Sequence, residues 1–172
     1  MRRAAALILI AFFLSIPFVH PVFGGQYEEA VDAYEREDYK TAYRLFKPLA
    51  EQGDTQAQNT IGAMYDKGRG VPKDYAEAAK WYRKAAEQGD LIGQNNLGEM
   101  YEKGKGVPKD YVLAYMWFNL ATTTDSKGLR EWALKNRNRV AAQMTPEQIA
   151  EAQRLSGEWK PKEEGKSGER SN

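Results

Sequence analysis

Residues 39–74 read YKTAYRLFKPLAEQGDTQAQNTIGAMYDKGRGVPKD, and residues 75–110 read YAEAAKWYRKAAEQGDLIGQNNLGEMYEKGKGVPKD. Laid one over the other, they are a single segment written twice with a period of 36 residues. Tyr39, Tyr75 and Tyr111 open successive copies. Gly53-Asp54 returns as Gly89-Asp90, Gly62 as Gly98, and Met64-Tyr65 as Met100-Tyr101. A fixed period of this length marks a repeat architecture, in which each unit buries its apolar face only against its neighbours.

Inside each unit the apolar spacing is helical. Ala42, Leu45, Phe46, Leu49 and Ala50 fall on one face of a helix that begins at Tyr39. Gly53 stops it, and Asp54 is placed to cap the next helix. Ala57, Ile61, Met64 and Tyr65 line that second helix, which Gly68 ends. The Gly70-Val71-Pro72 loop then leads to Asp74, the cap of the following unit. Ala78, Trp81, Tyr82, Ala85 and Ala86 repeat the first face, and Gly93, Leu97, Met100 and Tyr101 repeat the second. The reading is an all-α chain, an α-solenoid of antiparallel helix pairs wound into a right-handed superhelix. Its predicted core is Ala57, Ile61, Gly62, Tyr65, Ala78, Trp81, Leu97, Gly98, Tyr101, Ala114 and Trp117. A mid-helix glycine costs about 1 kcal/mol against alanine. The recurrence of Gly62 and Gly98 in one register therefore predicts that a neighbouring helix comes close there.

The flanks are degenerate copies. Residues Tyr27 to Arg36 read as one helix. A third unit over 111–144 opens with Tyr111 to Thr122, in register at Tyr111, Ala114 and Trp117. It then departs, with Thr122-Thr123-Thr124-Asp125 where earlier copies have Ala-Glu-Gln-Gly. A helix from about Lys127 to Met144 follows. Thr145-Pro146-Glu147-Gln148 has the form of a capping box with proline at the first helical position, opening a capping helix over 145–159. Beyond it, the tail 160–172 is rich in Pro, Gly, Ser and charge, and is expected to be disordered.

The N-terminus has the layout of a secretory signal peptide. Arg2 and Arg3 precede an apolar run from Ala4 to Ile16, and Val22-Phe23-Gly24 offers small residues for a cut after Gly24, with Gly25 as a near alternative. An uncleaved anchor is the competing reading, but a spanning helix wants about 20 apolar residues. The expected domain layout is thus a leader over 1–24 and a repeat domain over 25–159, in a periplasmic or secreted bacterial protein with no stable membrane anchor after cleavage. There is no cysteine, so neither a disulfide nor a lipid-modified N-terminal cysteine is available.

Loss of Arg2 and Arg3 leaves 23 of the 25 basic residues against 24 acidic ones. A chain this close to neutral lacks the basic field of a nucleic-acid binder. The sole histidine is His20, within the leader. A mature chain without His or Cys has no serine or cysteine triad, no histidine base and no zinc site of the usual composition. The expectation is therefore a non-enzyme with no cofactor and no metal. Glu99 and Glu102, three apart on one helix, are the one carboxylate pair to nominate for an alternative, a hydrolase of cell-wall material or glycan. The Gly68-Arg69-Gly70 and Gly104-Lys105-Gly106 turns lack the GxxxxGK[ST] pattern of a phosphate loop.

The unit Ala-Gln-x-x-(Ile/Leu)-Gly-x-Met-Tyr-x-x-Gly-x-Gly-Val-Pro-x-Asp-Tyr-x-x-Ala-x-x-Trp resembles the Sel1-like repeat, a relative of the tetratricopeptide repeat. The match is carried by Gln56-Ala57-Gln58 through Tyr65, by Gly68 to Tyr75, by Ala78, Trp81, Tyr82, Ala85, Ala86, Gly89 and Asp90, and again from Gln94 to Trp117. The first copy departs at Tyr43, Leu45 and Pro48, the second at Leu91, Ile92 and Gly93. The closing Met144 to Ile149 with Trp159 is similar to the end of exported bacterial members. The resemblance implies an adaptor that binds other proteins or carbohydrate-processing machinery. Some cysteine-rich relatives act on β-lactams through a disulfide-bonded scaffold; with no cysteine here, that activity is not carried over.

In a stack of helix pairs, the first helix of each pair lines the concave face. The polar residues there, Gln58, Asn59, Asp66, Gln94, Asn95, Glu99 and Glu102, are the expected groove for a protein or peptide partner of a monomeric scaffold. Asparagine both donates and accepts, which suits an extended backbone. The competing readings are a solvated face, or hydrogen bonds that tie adjacent units. The helix before Met144, with Lys127, Arg130, Lys135, Arg137 and Arg139 against Glu131, has the charge to meet an acidic partner or anionic lipid, or simply faces solvent. Self-assembly through incomplete end caps is a weaker alternative.

Overall fold

The computed structural model describes residues 22–162. Among them lie eight helices: α1 (Val22–Glu35), α2 (Tyr39–Glu51), α3 (Thr55–Lys67), α4 (Tyr75–Glu87), α5 (Leu91–Lys103), α6 (Tyr111–Leu120), α7 (Lys127–Ala141) and α8 (Pro146–Glu158). The expected leader, up to residue 21, lies outside the described residues, as does the tail from 163 onward. From α1 to α7, each helix packs on the next. α3 also touches α5, α5 touches α7, and α8 folds back on α6. The result is a stack of antiparallel pairs, the α-solenoid read from the repeat.

The helix starts are fixed by side chains. Asp38, Asp54, Asp74, Asp90 and Asp110 cap α2 to α6, each accepting from a backbone N–H of the first turn. Gly68 and Gly104 end α3 and α5 in the left-handed conformation, their N–H groups donating to Met64 O and Met100 O. Thr145 and Gln148 form the reciprocal capping box of α8. Three helix boundaries differ from the sequence reading. α1 begins at Val22 and not at Tyr27, because no proline interrupts the intervening residues, and it runs through the Gly24-Gly25 pair. α6 stops at Leu120, since Thr122 and Thr123 turn their hydroxyls back onto Asn119 O and Leu120 O. α7 ends at Ala141. The chain stays ordered past Trp159: Lys162 N–H donates to Glu87 O, and its ammonium lies 2.7 Å from the Glu87 carboxylate.

The core holds Ala57, Ile61, Ala78, Trp81, Leu97, Ala114 and Trp117 as read, with Phe46 and Phe118 among the largest fully buried side chains. Gly62 and Gly98 are buried too, and their register has a simple cause. A Cβ at Gly62 would stand 2.7 Å from the Tyr82 ring, and one at Gly98 equally close to Phe118. The aromatic ring of each unit lies directly on the preceding helix, so burial of a whole ring, about 2–3 kcal/mol, outweighs the propensity cost of glycine. Tyr65 and Tyr101, read as core, sit at its edge. They are half-buried, with the Tyr65 hydroxyl 2.9 Å from that of Tyr43 and the Tyr101 hydroxyl accepting from Arg83. A phenol packs its ring inside only where its hydroxyl keeps a partner.

Candidate binding groove

Four of the seven residues expected to face a partner are turned inward. Gln58, Gln94 and Asn95 are 1%, 2% and 0% exposed, and Asn59 is 9% exposed. Gln58 Nε2 donates to Ala50 O, and its Oε1 accepts from Gln88. Gln94 Nε2 donates to Ala86 O, the same bond one period later. Asn95 Oδ1 accepts from Asn136 on α7, which in turn accepts from Arg139. Asn59 Nδ2 donates to Asp90 Oδ1, at 2.7 Å, across to the cap of α5. These amides tie one helix pair to the next. The expectation that Gln58, Gln94 and Asn95 offer their side chains to a ligand is corrected on this point: they are buried, and neighbouring helices supply hydrogen bonds to all of their polar atoms except Gln94 Oε1 and Asn95 Nδ2.

The acidic residues are likewise engaged by the fold. Glu102 accepts from two nitrogens of the Arg139 guanidinium, Nε and Nη2, at 2.7 and 2.6 Å. Glu99 pairs with Lys103 at 2.5 Å, and Asp66 lies 4.0 Å from Lys105. Glu99 and Glu102 thus each face a separate cation and form no shared acid–base pair. Most cations of α7 are also committed. Arg139 is held by Glu102, Arg137 donates to Asn119 and lies over the Tyr115 ring, and Arg130 reaches Thr124 O and Asp125. A basic helix ready for an acidic partner is therefore not what α7 presents.

The open concavity lies one register away, between α1, α3 and α5. It holds about 540 Å³. Tyr27, Val31, Tyr34 and Glu35 line it from α1, Gln56, Asn59, Thr60 and Ala63 from α3, and Ile92 and Asn96 from α5. Gln56 and Ile92 are 36 apart, as are Thr60 and Asn96. These are the outward positions of the helix, whereas Gln58 points between units and Asn59 stands at the border, lining the groove while bonding Asp90. Ile92 is 42% exposed and is the one large apolar side chain so exposed among the described residues. Tyr27 donates its hydroxyl to Gln56 Oε1 at 2.8 Å. Both residues also line a second opening of about 560 Å³ with Leu49 and Asp54. Burial and the nearby Asp54 charge raise the Tyr27 pKa. The sequence held one signal for this groove: Ile92 is an apolar residue at the place where the first copy has Gln56.

What lies below the groove is a scaffold. Asn59 links it to the Asp90 cap, which also accepts from Gly93 N–H on the same Oδ1. Among the described residues no group of three His, Cys, Asp or Glu side chains is placed to hold a metal ion. No helix among them is long and apolar enough to cross a membrane.

The model of the Sel1 repeat matches residues 27–54, 55–90 and 91–123. Its units thus pair α1 with α2, α3 with α4 and α5 with α6. No curated protein matches the chain. Among solved structures, c5321, a protective antigen present in uropathogenic Escherichia coli strains displaying an SLR fold, is 36% identical over 80% of this chain, with a TM-score of 0.73. This chain spans 29% of the length of that antigen. A Sel1 repeat protein from Oxalobacter formigenes is 33% identical, with a TM-score of 0.57 over 66% of this chain and 89% of its own. Helicobacter pylori cysteine rich protein B shares the fold at 22% identity, with a TM-score of 0.51 over 64% of this chain and 93% of its own. Three consecutive matched units, a helix-pair stack and a repeated aspartate-capped register agree: the chain belongs to the Sel1 repeat family.

Proposed function

We propose that this protein is an exported scaffold that holds a protein or peptide partner in the groove between α1, α3 and α5. Sel1 repeat proteins generally act as protein-interaction scaffolds. The observation that carries the reading here is Ile92, an exposed apolar side chain lining a concavity that Tyr34, Thr60 and Asn96 line with it. An apolar anchor ringed by groups that donate and accept suits a segment bound by shape and backbone hydrogen bonds, with no chemical step. Export is supported by Arg2-Arg3 and the apolar run behind them, and a protective antigen among the relatives agrees with it. The mature protein is a monomer in this reading.

A photo-reactive amino acid at Asn96 is expected to capture a discrete partner in the native host, and one at Lys80 on the outer face is not. Ile92→Arg should abolish that capture with an unchanged circular dichroism spectrum. Capture that survives Ile92→Arg refutes the groove. Edman sequencing of the protein from an envelope fraction should begin at Gly25 or Gln26. An intact Met1 in the cytoplasm would refute export.

A further inference from the structure

We infer that the groove selects a basic side chain, lysine or arginine, flanked by an aliphatic residue, from the extended partner segment. The inference rests on the scaffold reading and adds the chemistry of the ligand. Three observations set the sign of the charge. First, Glu35 on α1 and Asp90 at the start of α5 both line the groove, and neither is in an ion pair among the described residues. Both bonds that reach Asp90 fall on Oδ1, and the second oxygen receives none among the described residues. Second, α1 carries Glu28, Glu29, Asp32 and Glu35 with no basic residue along its length; only Glu35 lines the groove, and the other three add a more distant negative field from the same helix. Third, Asn59 is nine-tenths buried where it lines the groove. Its Nδ2 is spent on Asp90, and its Oδ1 has no hydrogen-bond partner. That oxygen is closed to solvent as it stands; a small turn of the amide toward the groove would let a cationic N–H supply charge and donor together.

The apolar part of the ligand follows from Val31, Tyr34 and Ile92. The stem of a lysine or arginine, with its aliphatic neighbour, would lie along them while the head reaches the carboxylates. A cation is already tolerated beside this wall: Arg69 from the repeat loop donates to the Tyr34 hydroxyl at 2.9 Å. An acidic segment would meet Glu35 and Asp90 as like charges. A neutral one would leave Asn59 Oδ1 without a donor.

The test is a heteronuclear NMR titration of the uniformly 15N-labelled full chain with three tripeptides: acetyl-Leu-Lys-Leu-amide and its norleucine and glutamate counterparts. The lysine peptide should move resonances of Tyr34, Asn59 and Ile92. The norleucine peptide should bind roughly tenfold more weakly, the worth of one charge-assisted hydrogen bond, and the glutamate peptide weaker still. Glu35→Gln, an exposed change, should erase most of the preference for lysine over norleucine. Equal binding of the lysine and norleucine peptides, stronger binding of the glutamate peptide, or no shift in the groove with any of them would each overturn the inference. The scaffold reading fails separately, when the partner cross-links outside α1, α3 and α5. A partner that maps to the groove while the lysine peptide does not bind leaves the scaffold standing and removes the basic ligand.

Discussion

Gly106→Ala should destabilise the whole stack, and by more than its backbone conformation alone explains. Gly106 has φ +68, a left-handed conformation that costs a residue with a Cβ about 1–2 kcal/mol. It also lies against the start of the preceding unit's second helix. A Cβ there would stand 2.6 Å from Ala76 N and nearer still to the Tyr75 carbonyl, where real Cβ atoms keep at least 3.0 Å. The obstacle is backbone at the first turn of α4, so no rotamer change relieves it. The loop must back away, loosening Val107 from the core and Lys105 from its position 4.7 Å over the Tyr75 ring. Overpacking of this kind costs about 1–3 kcal/mol, for a total of about 2–5 kcal/mol. Gly104→Ala is the control. Its φ is +64, but its nearest neighbour, the Lys109 side chain at Cβ, is 3.1 Å away and need give only a few tenths of an ångström, so the conformational cost of about 1–2 kcal/mol dominates. Urea unfolding followed by circular dichroism should rank Gly106→Ala well below Gly104→Ala. Gly70, which packs the same way on Tyr39, should behave like Gly106. If the two substitutions cost the same, the loop is not clamped on the previous unit and the reasoning fails.

Three further outcomes test other parts of the fold. Asn95→Ala strands the buried Asn136 Nδ2 and should lower unfolding stability by about 1–3 kcal/mol; a neutral result would mean the inter-unit amide bond contributes nothing. Thr145→Ala removes the cap of α8 and should cost about 1 kcal/mol. Because α8 leads to Trp159, 6.0 Å from Trp117, tryptophan fluorescence should report the loosening, and an unchanged midpoint and spectrum would refute the cap's role. The Tyr43 hydroxyl pushes the Tyr65 pKa up from 10.0 to about 12, so the fold favours the protonated phenol. That contribution is whole below pH 10, the unfolded value, and is lost as pH rises toward 12. Urea midpoints at pH 8 and 11 should diverge for the native protein and diverge less for Tyr65→Phe; an equal drop in both would refute the coupling.

The helices and core were legible because their causes are local and recur. Each aspartate cap, glycine stop and apolar face is written in every unit, so one reading of residues 39–74 carried α2 through α6. Boundaries slipped where a side chain bonds its own backbone, as Thr122 and Thr123 do, since nothing in the pattern separates that from one more helical turn. The groove was misplaced for a different reason. Periodicity identifies the apolar face of α3 and α5 but does not say which polar positions beside it look outward and which look into the next unit. Gln58 and Asn59 read as polar surface, yet their partners lie 30 and 31 residues on, at Gln88 and Asp90. A composition argument has no means of pairing residues at that distance.

The third unit shows what such pairing costs when it breaks. One period after Gln88, the partner of Gln58, stands Thr124, and one period after Asp90, the partner of Asn59, stands Ser126. Both are too short to reach back. Accordingly Gln94 Oε1 is left without a partner, and Asn95 turns to Asn136 on α7 but keeps Nδ2 unsatisfied. Two buried polar atoms thus lose their donors or acceptors within one unit, and the solenoid stops extending there: α8 folds onto α6, and Trp159 covers Trp117. Asn59 Oδ1 is a different case. Its unit is intact and Asp90 is in place, so the degenerate third copy does not account for it.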